Sequence, residues 1–252
     1  MLRIHLSLDE GRPSSEWILD RETSQRQWYQ HYYAASGDDR NNLRSNPEVL
    51  FQTLALESSV VRASRDITHA PSTALVLDVG CGGGGDIYQL VRIGYVPTMI
   101  TGIHIQQDRI EAARRLYPQM QFIHGDATRM EFDDDSFDLV FESTMFATLP
   151  NDRDRTAISS EMVRVCKPGG YLMLVDWRTP KPGDSNYKAL TRKELCTLFS
   201  VGTATRLMKV HKGALVPPIG RFLSMRTPSL YFVVWRLFPF LVGQVVYVLM
   251  KG

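Results

Sequence analysis

Four carboxylates and two histidines stand at or near the ends of apolar runs, where side chains can meet a ligand. Asp78 lies in Ala74–Asp86, ALVLDVGCGGGGD, in which Leu75, Val76, Leu77 and Val79 read as a buried parallel strand. Gly80 to Gly85 then force a tight turn. Glycines serve where the backbone takes positive φ or where a ligand lies against it with no Cβ between. Ile87 to Gly94 has helical spacing, so strand, turn and helix start together make a nucleotide-sized pocket. His104 falls within a second apolar run, Thr98 to Ile105, and Asp126 follows a third, Gln121 to His124. Glu142 and Phe146 stand at the exit of a fourth run and Asp176 at the end of a fifth. Ligands of open α/β sheets bind at strand exits, which makes Glu142, Asp176 and the later His211 candidate general bases.

Two cofactor classes use such a glycine turn. Gly80, Gly82 and Gly85 satisfy the dinucleotide pattern G-x-G-x-x-G, but in so glycine-rich a run that match is nearly automatic. Asp78 discriminates, because D-x-G-x-G-x-G (Asp78, Gly80, Gly82, Gly84) resembles motif I of the class I S-adenosylmethionine-dependent methyltransferases. The resemblance implies that the turn, Cys81 included, passes the methionine part of the cofactor while Asp78 orients the loop and the amino group. Gly125-Asp126-Ala127 resembles the family's adenine clamp, in which the aspartate accepts from the exocyclic amine and the next N–H donates to a ring nitrogen. Ile105 would pack against the adenine. Lys167-Pro168-Gly169-Gly170 resembles the turn before the fifth strand, and Glu142 and Phe146 would meet both cofactor and acceptor. Tyr33 and Arg44, in the segment before the first strand, suit the cofactor carboxylate.

One position departs from the family. Its pattern at the end of the second strand is G-[IV]-[DE]-[IL], the acid accepting two hydrogen bonds from the ribose; this chain has Gly102, Ile103, His104, Ile105. A neutral imidazole accepts one bond and donates another but cannot make the charged bidentate contact. Weaker cofactor binding is expected, with a changed cofactor or a merely structural histidine as the alternatives. Asp133 to Asp135 lie at a strand entrance, away from the cofactor, and no metal is expected.

The elements that must position these groups follow from periodicity. Gln107 to Tyr117 is an amphipathic helix ended by Pro118, and Arg155 to Val165 is another. Leu190 onward reads as a helix, a sixth strand (Ala204 to His211), an insert and a final strand (Gln244 to Lys251). Ahead of the first strand, Trp28, Tyr29, Tyr32 and Tyr33 form one helical face and Asn46-Pro47-Glu48 a helix start. The expected fold is α/β and Rossmann-like: a seven-stranded, mostly parallel sheet with helices on both faces and the last strand antiparallel. Residues 1–70 form an N-terminal arm and helical cap, and residues 71–252 the cofactor-binding domain with a lid-like insert at 213–243.

With 252 residues, Lys+Arg 29 against Asp+Glu 27 and no long basic stripe, the chain is an ordinary globular protein rather than a nucleic-acid binder. Three widely spaced cysteines suggest neither a disulfide framework nor a metal site, and a reducing, cytoplasmic setting is expected. Ser229 to Met250 is interrupted by Arg236, Pro239 and Gly243 and is not expected to span a membrane. The expected reaction is methyl transfer from S-adenosylmethionine, leaving S-adenosylhomocysteine. The string Arg40 to Gln52 resembles an element of bacterial methyltransferases encoded near surface-polysaccharide genes, which points to O-methylation of a sugar or glycan precursor. The apolar insert, Leu215 to Leu241, points instead to a quinone, lipid or secondary metabolite, and its arginines to peripheral contact with the inner face of the membrane. His104 leaves a third reading, a catalytically silent binding module. A thiol or activated-carbon acceptor would need no general base.

Overall fold

The computed structural model describes residues 43–252 except 182, 185 and 186, together with residues 23, 26 and 27. Tyr33 and the aromatic face around it lie outside the described residues. Seven strands form one sheet: β1 (Val76–Val79), β2 (Ile100–His104), β3 (Gln121–His124), β4 (Phe137–Ser143), β5 (Cys166–Trp177), β6 (Thr205–Lys212) and β7 (Gln244–Lys251). Their order is β3-β2-β1-β4-β5-β7-β6, and β7 alone runs antiparallel to its two neighbours. The order reverses between β1 and β4, and at such a switch point the crossovers leave on opposite faces and open a crevice at the strand exits.

Every residue of β1 and β2 is buried, as a parallel strand covered on both faces requires. Helices α1 (Leu50–Ser64), α2 (Ile87–Arg92) and α3 (Gln107–Leu116) contribute Val60, Ile87, Leu90, Ile110 and Ala113 to one side of the core, against Val76, Ile100, Phe141 and Met173. On the other face α4 (Asp152–Val165) and α5 (Arg192–Leu198) bury Ile158, Met162, Val165 and Leu195 against Leu77, Val140, Leu172 and Leu174.

Helices begin and end close to where the periodicity places them. α4 starts at Asp152, three residues before the expected Arg155, because Asn151 caps it by accepting from the Arg153 N–H at 2.9 Å. Asn46 caps by position only: its side chain makes no capping bond, and Pro47–Val49 form a 3-10 turn leading into α1. β2 starts at Ile100 rather than Thr98, since Pro97–Met99 form another such turn.

Between β6 and β7 the insert forms α6 (Pro217–Arg226) and α7 (Tyr231–Leu237). Its base is closed by the Leu215–Val242 bridge, and Arg178, just past β5, donates to the carbonyls of Val242 at 2.8 Å and Pro239 at 2.6 Å. α1 straps the insert to the sheet. Phe51 packs on Tyr231 and Phe232 at ring distances of 5.7 and 6.0 Å, Gln52 donates to the Leu215 carbonyl, and Glu48 lies 3.5 Å from Arg221. Further along α1, Ser59 donates to the Lys212 carbonyl of the outer strand. No helix among the described residues is long and apolar enough to cross a membrane.

Candidate functional site

A cleft open to solvent lies at the exits of β1, β2 and β4. Gly80, His104, Ile105, Asp126 and Ala127, all named from the sequence, are brought together in its lining, and Ser143, Thr144, Met145, Thr148, Leu149 and Ile158 complete its walls.

The glycine turn is fastened to the end of β2. The N–H groups of Gly80 and Cys81 both donate to the Ile103 carbonyl, at 2.9 and 3.1 Å, and the Gly84 N–H donates to the Cys81 carbonyl at 2.9 Å. Gly80, Gly82 and Gly84 have φ of +75°, +52° and +83°, the left-handed region that L side chains rarely occupy. A Cβ on Gly80 would also stand 2.8 Å from Met145 Sδ. The Cys81 side chain turns away from the cleft into the core, where only a glycine at position 102 leaves it room. Burial, and then the charge of Asp78, push its thiol well above the ordinary range, so the thiol is a packing group and only the Cys81 backbone shapes the turn.

His104 is buried, and its Nδ1 accepts from the Gly82 N–H at 3.3 Å. That bond assigns the ring proton to Nε2, which has no hydrogen-bond partner at bonding geometry. Burial lowers the His104 pKa to about 4, helped by the charge of Arg109 and opposed by the Gln106 side chain, Asp108 and the Gly80 backbone. The imidazole is therefore neutral at physiological pH and offers one donor toward the cleft. The expected pair of roles, one acceptor and one donor, is reduced to the donor because the turn itself uses the acceptor.

Asp78 and Glu142 are buried, each with one carboxylate oxygen unpartnered, Oδ2 and Oε1 respectively. Glu142 Oε2 accepts from the Met145 N–H at 3.0 Å. Burial raises both pKa values well above the carboxylate range; Asp86 adds to the effect at Asp78, and Asp176 leads the neighbouring charges that add to it at Glu142. Asp126 accepts from the Thr128 N–H at 2.9 Å, which fixes the loop after β3.

Three expected site residues stand elsewhere. Asp176 is fully buried with both oxygens engaged, Oδ2 by the Ala147 N–H at 3.0 Å and Oδ1 by the Trp177 N–H at 2.6 Å. Burial pushes its pKa up to about 7 against those two bonds, and the group ties the end of β5 to the Phe146–Thr148 turn. Phe146 is fully buried and packs on Phe199 at 5.5 Å, under the cleft and not in its wall. His211 lies on the outermost strand with its Nε2 2.5 Å from Asp66 Oδ2, three strands away from Glu142, so the fold does not bring it to the cleft. Arg44 is exposed.

Two features carry no signal at the level of motifs. Thr144 lines the cleft at φ +61° and is held there by its N–H donating to the Val175 carbonyl at 2.7 Å. A β-branched residue in that region is strained, and such strain gathers at functional sites. Arg155, buried to 1% exposure, donates to the carbonyls of Phe146 at 2.6 Å and Lys188 at 3.0 Å and so holds the turn beneath the cleft. It sits on the same helical stripe as Ile158 and Met162, and that placement marks it as buried.

Asp78 Oδ2, His104 Nε2, Gln106 Nε2 and Glu142 Oε1 are thus buried polar atoms without protein partners around one glycine turn. Leaving such an atom unmatched costs about 1–3 kcal/mol. The set fits a ligand that carries a cationic amine for the carboxylates, a hydroxyl for the imidazole and a flat ring between Ile105 and Ala127.

Comparison with known proteins agrees with this geometry. Residues 76–170 match the family described as methyltransferase domain. Phthiotriol/phenolphthiotriol dimycocerosates methyltransferase 1 of Mycobacterium ulcerans is 35% identical over 117 residues, 45% of this chain and 42% of that protein. The 2-methyl-6-phytyl-1,4-hydroquinone methyltransferase of Synechocystis is 36% identical over 111 residues, 42% of this chain and 33% of that protein. The matched part thus spans less than half the length of these relatives. A TehB-like S-adenosylmethionine-dependent methyltransferase from Corynebacterium glutamicum shares the fold with a TM-score of 0.53 at 16% identity, over 93% of this chain and all of that one. Motif order, sheet topology and the family match converge: residues 76–170 are similar to a methyltransferase domain, in a fold that the chain shares with S-adenosylmethionine-dependent methyltransferases.

Proposed function

We propose that the protein transfers a methyl group from S-adenosylmethionine to an apolar, lipid-like small molecule. The observation that carries the cofactor half of this reading is the ring of unpartnered buried polar atoms around the Gly80–Gly84 turn. Bound there, the cofactor would supply a methyl group made electrophilic by a sulfonium. Asp78 and Glu142 would receive its amine, His104 Nε2 would donate to a ribose hydroxyl, and Ile105, Asp126 and Ala127 would hold the adenine. Met145, Leu149 and Ile158 give the rest of the cleft an apolar wall, against which position, more than acid–base chemistry, would carry the rate. Asp176, with both oxygens on backbone N–H groups, would serve as a brace and not as a base.

The apolar acceptor is supported by the insert, whose helices expose aromatic and aliphatic side chains beside the exits of β5 and β6. It is also supported by two relatives, one named for dimycocerosates and the other for a hydroquinone with a phytyl chain. A sugar or surface-glycan acceptor is the second reading, favoured by the hydroxyl-bearing Ser143 and Thr144 in the cleft wall. The cytoplasmic setting expected from the sequence goes with either acceptor. The test is incubation of the protein with methyl-labelled S-adenosylmethionine and a bacterial extract split into organic and aqueous fractions. Label in the organic fraction is expected, label in the aqueous glycan fraction favours the second reading, and label in neither contradicts both.

A further inference from the structure

Sixteen large hydrophobic residues are exposed among the described residues, and eight of them fall within Phe222–Phe240. The insert is anchored from beneath by Leu223, Ser224, Tyr231 and Trp235, the Trp235 indole donating to the Gly213 carbonyl at 2.7 Å. Phe222, Met225, Leu237 and Phe240 project outward, each between 57% and 69% exposed. Clustered apolar exposure on this scale marks a surface that meets something.

Charge says what it meets. Residues 195–252 hold seven Lys or Arg and no Asp or Glu, whereas residues 1–194 hold 22 and 27. The whole acid deficit lies at the end of the chain that carries the apolar face. Arg226 and Arg236 are exposed at the rim of that face and make no ion pair among the described residues, while Arg221 is turned toward Glu48. Apolar tips flanked by Arg226 and Arg236, on a stretch of chain that carries no acid, match the boundary between acyl chains and anionic headgroups, where the tips enter the hydrocarbon and the guanidinium groups stay at phosphate level.

We propose that the α6–α7 insert docks on an anionic membrane surface. The proposal deepens the apolar-acceptor reading, since docking there would set the exits of β5 and β6 against the layer in which such an acceptor resides. A second copy of the chain is the competing occupant, but two such faces would set arginines against arginines with no acid between them.

The test is sedimentation of the protein with vesicles of phosphatidylglycerol and phosphatidylcholine in equal parts, and with phosphatidylcholine alone. Binding to the anionic vesicles is expected, reversed by salt. The double variant Arg226→Gln/Arg236→Gln should lose affinity on the order of thirtyfold, at about 1 kcal/mol per basic residue near the surface. Phe238→Ser/Phe240→Ser should also release the protein. No sedimentation, equal binding to neutral vesicles, or unchanged binding of the arginine variant overturns the proposal. So does a dimer in analytical ultracentrifugation that the phenylalanine variant dissociates while vesicles bind neither form. Calorimetry with S-adenosylmethionine on the same samples keeps the two ideas apart: cofactor binding without vesicle binding sinks docking alone, and vesicle binding without cofactor binding sinks the methyltransferase reading alone.

Discussion

At the exits of β1 and β2 the chain buries polar atoms and leaves several without partners; beyond the exits of β5 and β6 it exposes apolar side chains and carries no acid. The first region is rigid and exacting. Its backbone turns through three glycines of positive φ, bonds back to Ile103, and recruits the ring of His104 to hold Gly82. The second has no comparable polar frame and is held by Arg178, Tyr231 and Trp235 at its base. A cofactor of one fixed shape rewards the first kind of construction, and an acceptor of variable apolar shape, or a bilayer, rewards the second.

The contrast can be broken most severely at Gly80. Gly80→Val places a β-branched residue at φ +75° and drives its side chain onto Met145, so we expect a loss of stability of about 4 kcal/mol from strain and overpacking, together with loss of cofactor binding. Thermal unfolding and calorimetry read both. Arg155→Leu comes next. It strips donors from the buried carbonyls of Phe146 and Lys188, and a loss of about 3 kcal/mol in denaturant unfolding is expected with the vesicle interaction intact.

Asp176→Asn should cost about 2 kcal/mol at acidic pH, because one amide N–H must now face a backbone N–H. The cost should shrink as pH rises. Burial raises the native Asp176 pKa from 3.8 to about 7, so the wild-type carboxyl contributes fully below its unfolded value and loses that contribution as pH climbs through the folded one. A neutral asparagine has no such decline, and unfolding measured from pH 4 to 8 should show the two curves converging. The mildest change is His104→Asp. A carboxylate would restore a charge-assisted bond to the ribose, tightening cofactor binding by about 1 kcal/mol.

Much of the first region was legible in the sequence because its work is done by residue types in a fixed order. Asp78, the glycines, Ile105 and Gly125-Asp126-Ala127 stand at strand ends and turns, which motif spacing encodes, and Gly80, Ile105, Gly125, Asp126 and Ala127 lie in the cleft wall. The sheet was legible for a related reason: buried parallel strands are continuous apolar runs between turns. Side-chain direction after a strand exit was not. Phe146 lies two residues past Thr144, and the positive φ there swings the chain so that Met145 meets the cleft and Phe146 the core. Strand order was equally hidden for His211, whose distance from Glu142 depends on β6 being the outermost strand. In the insert the sequence showed composition, apolar and basic, but only the fold shows which residues it turns outward.

The most direct measurement is titration calorimetry of the wild-type protein and His104→Asp with S-adenosylmethionine. One site per chain is expected, with the aspartate variant about fivefold tighter, the equivalent of one charge-assisted hydrogen bond. No binding by the wild type at millimolar cofactor would contradict the assignment of the glycine turn. Binding with unchanged or weaker affinity in the variant would contradict the place given to His104.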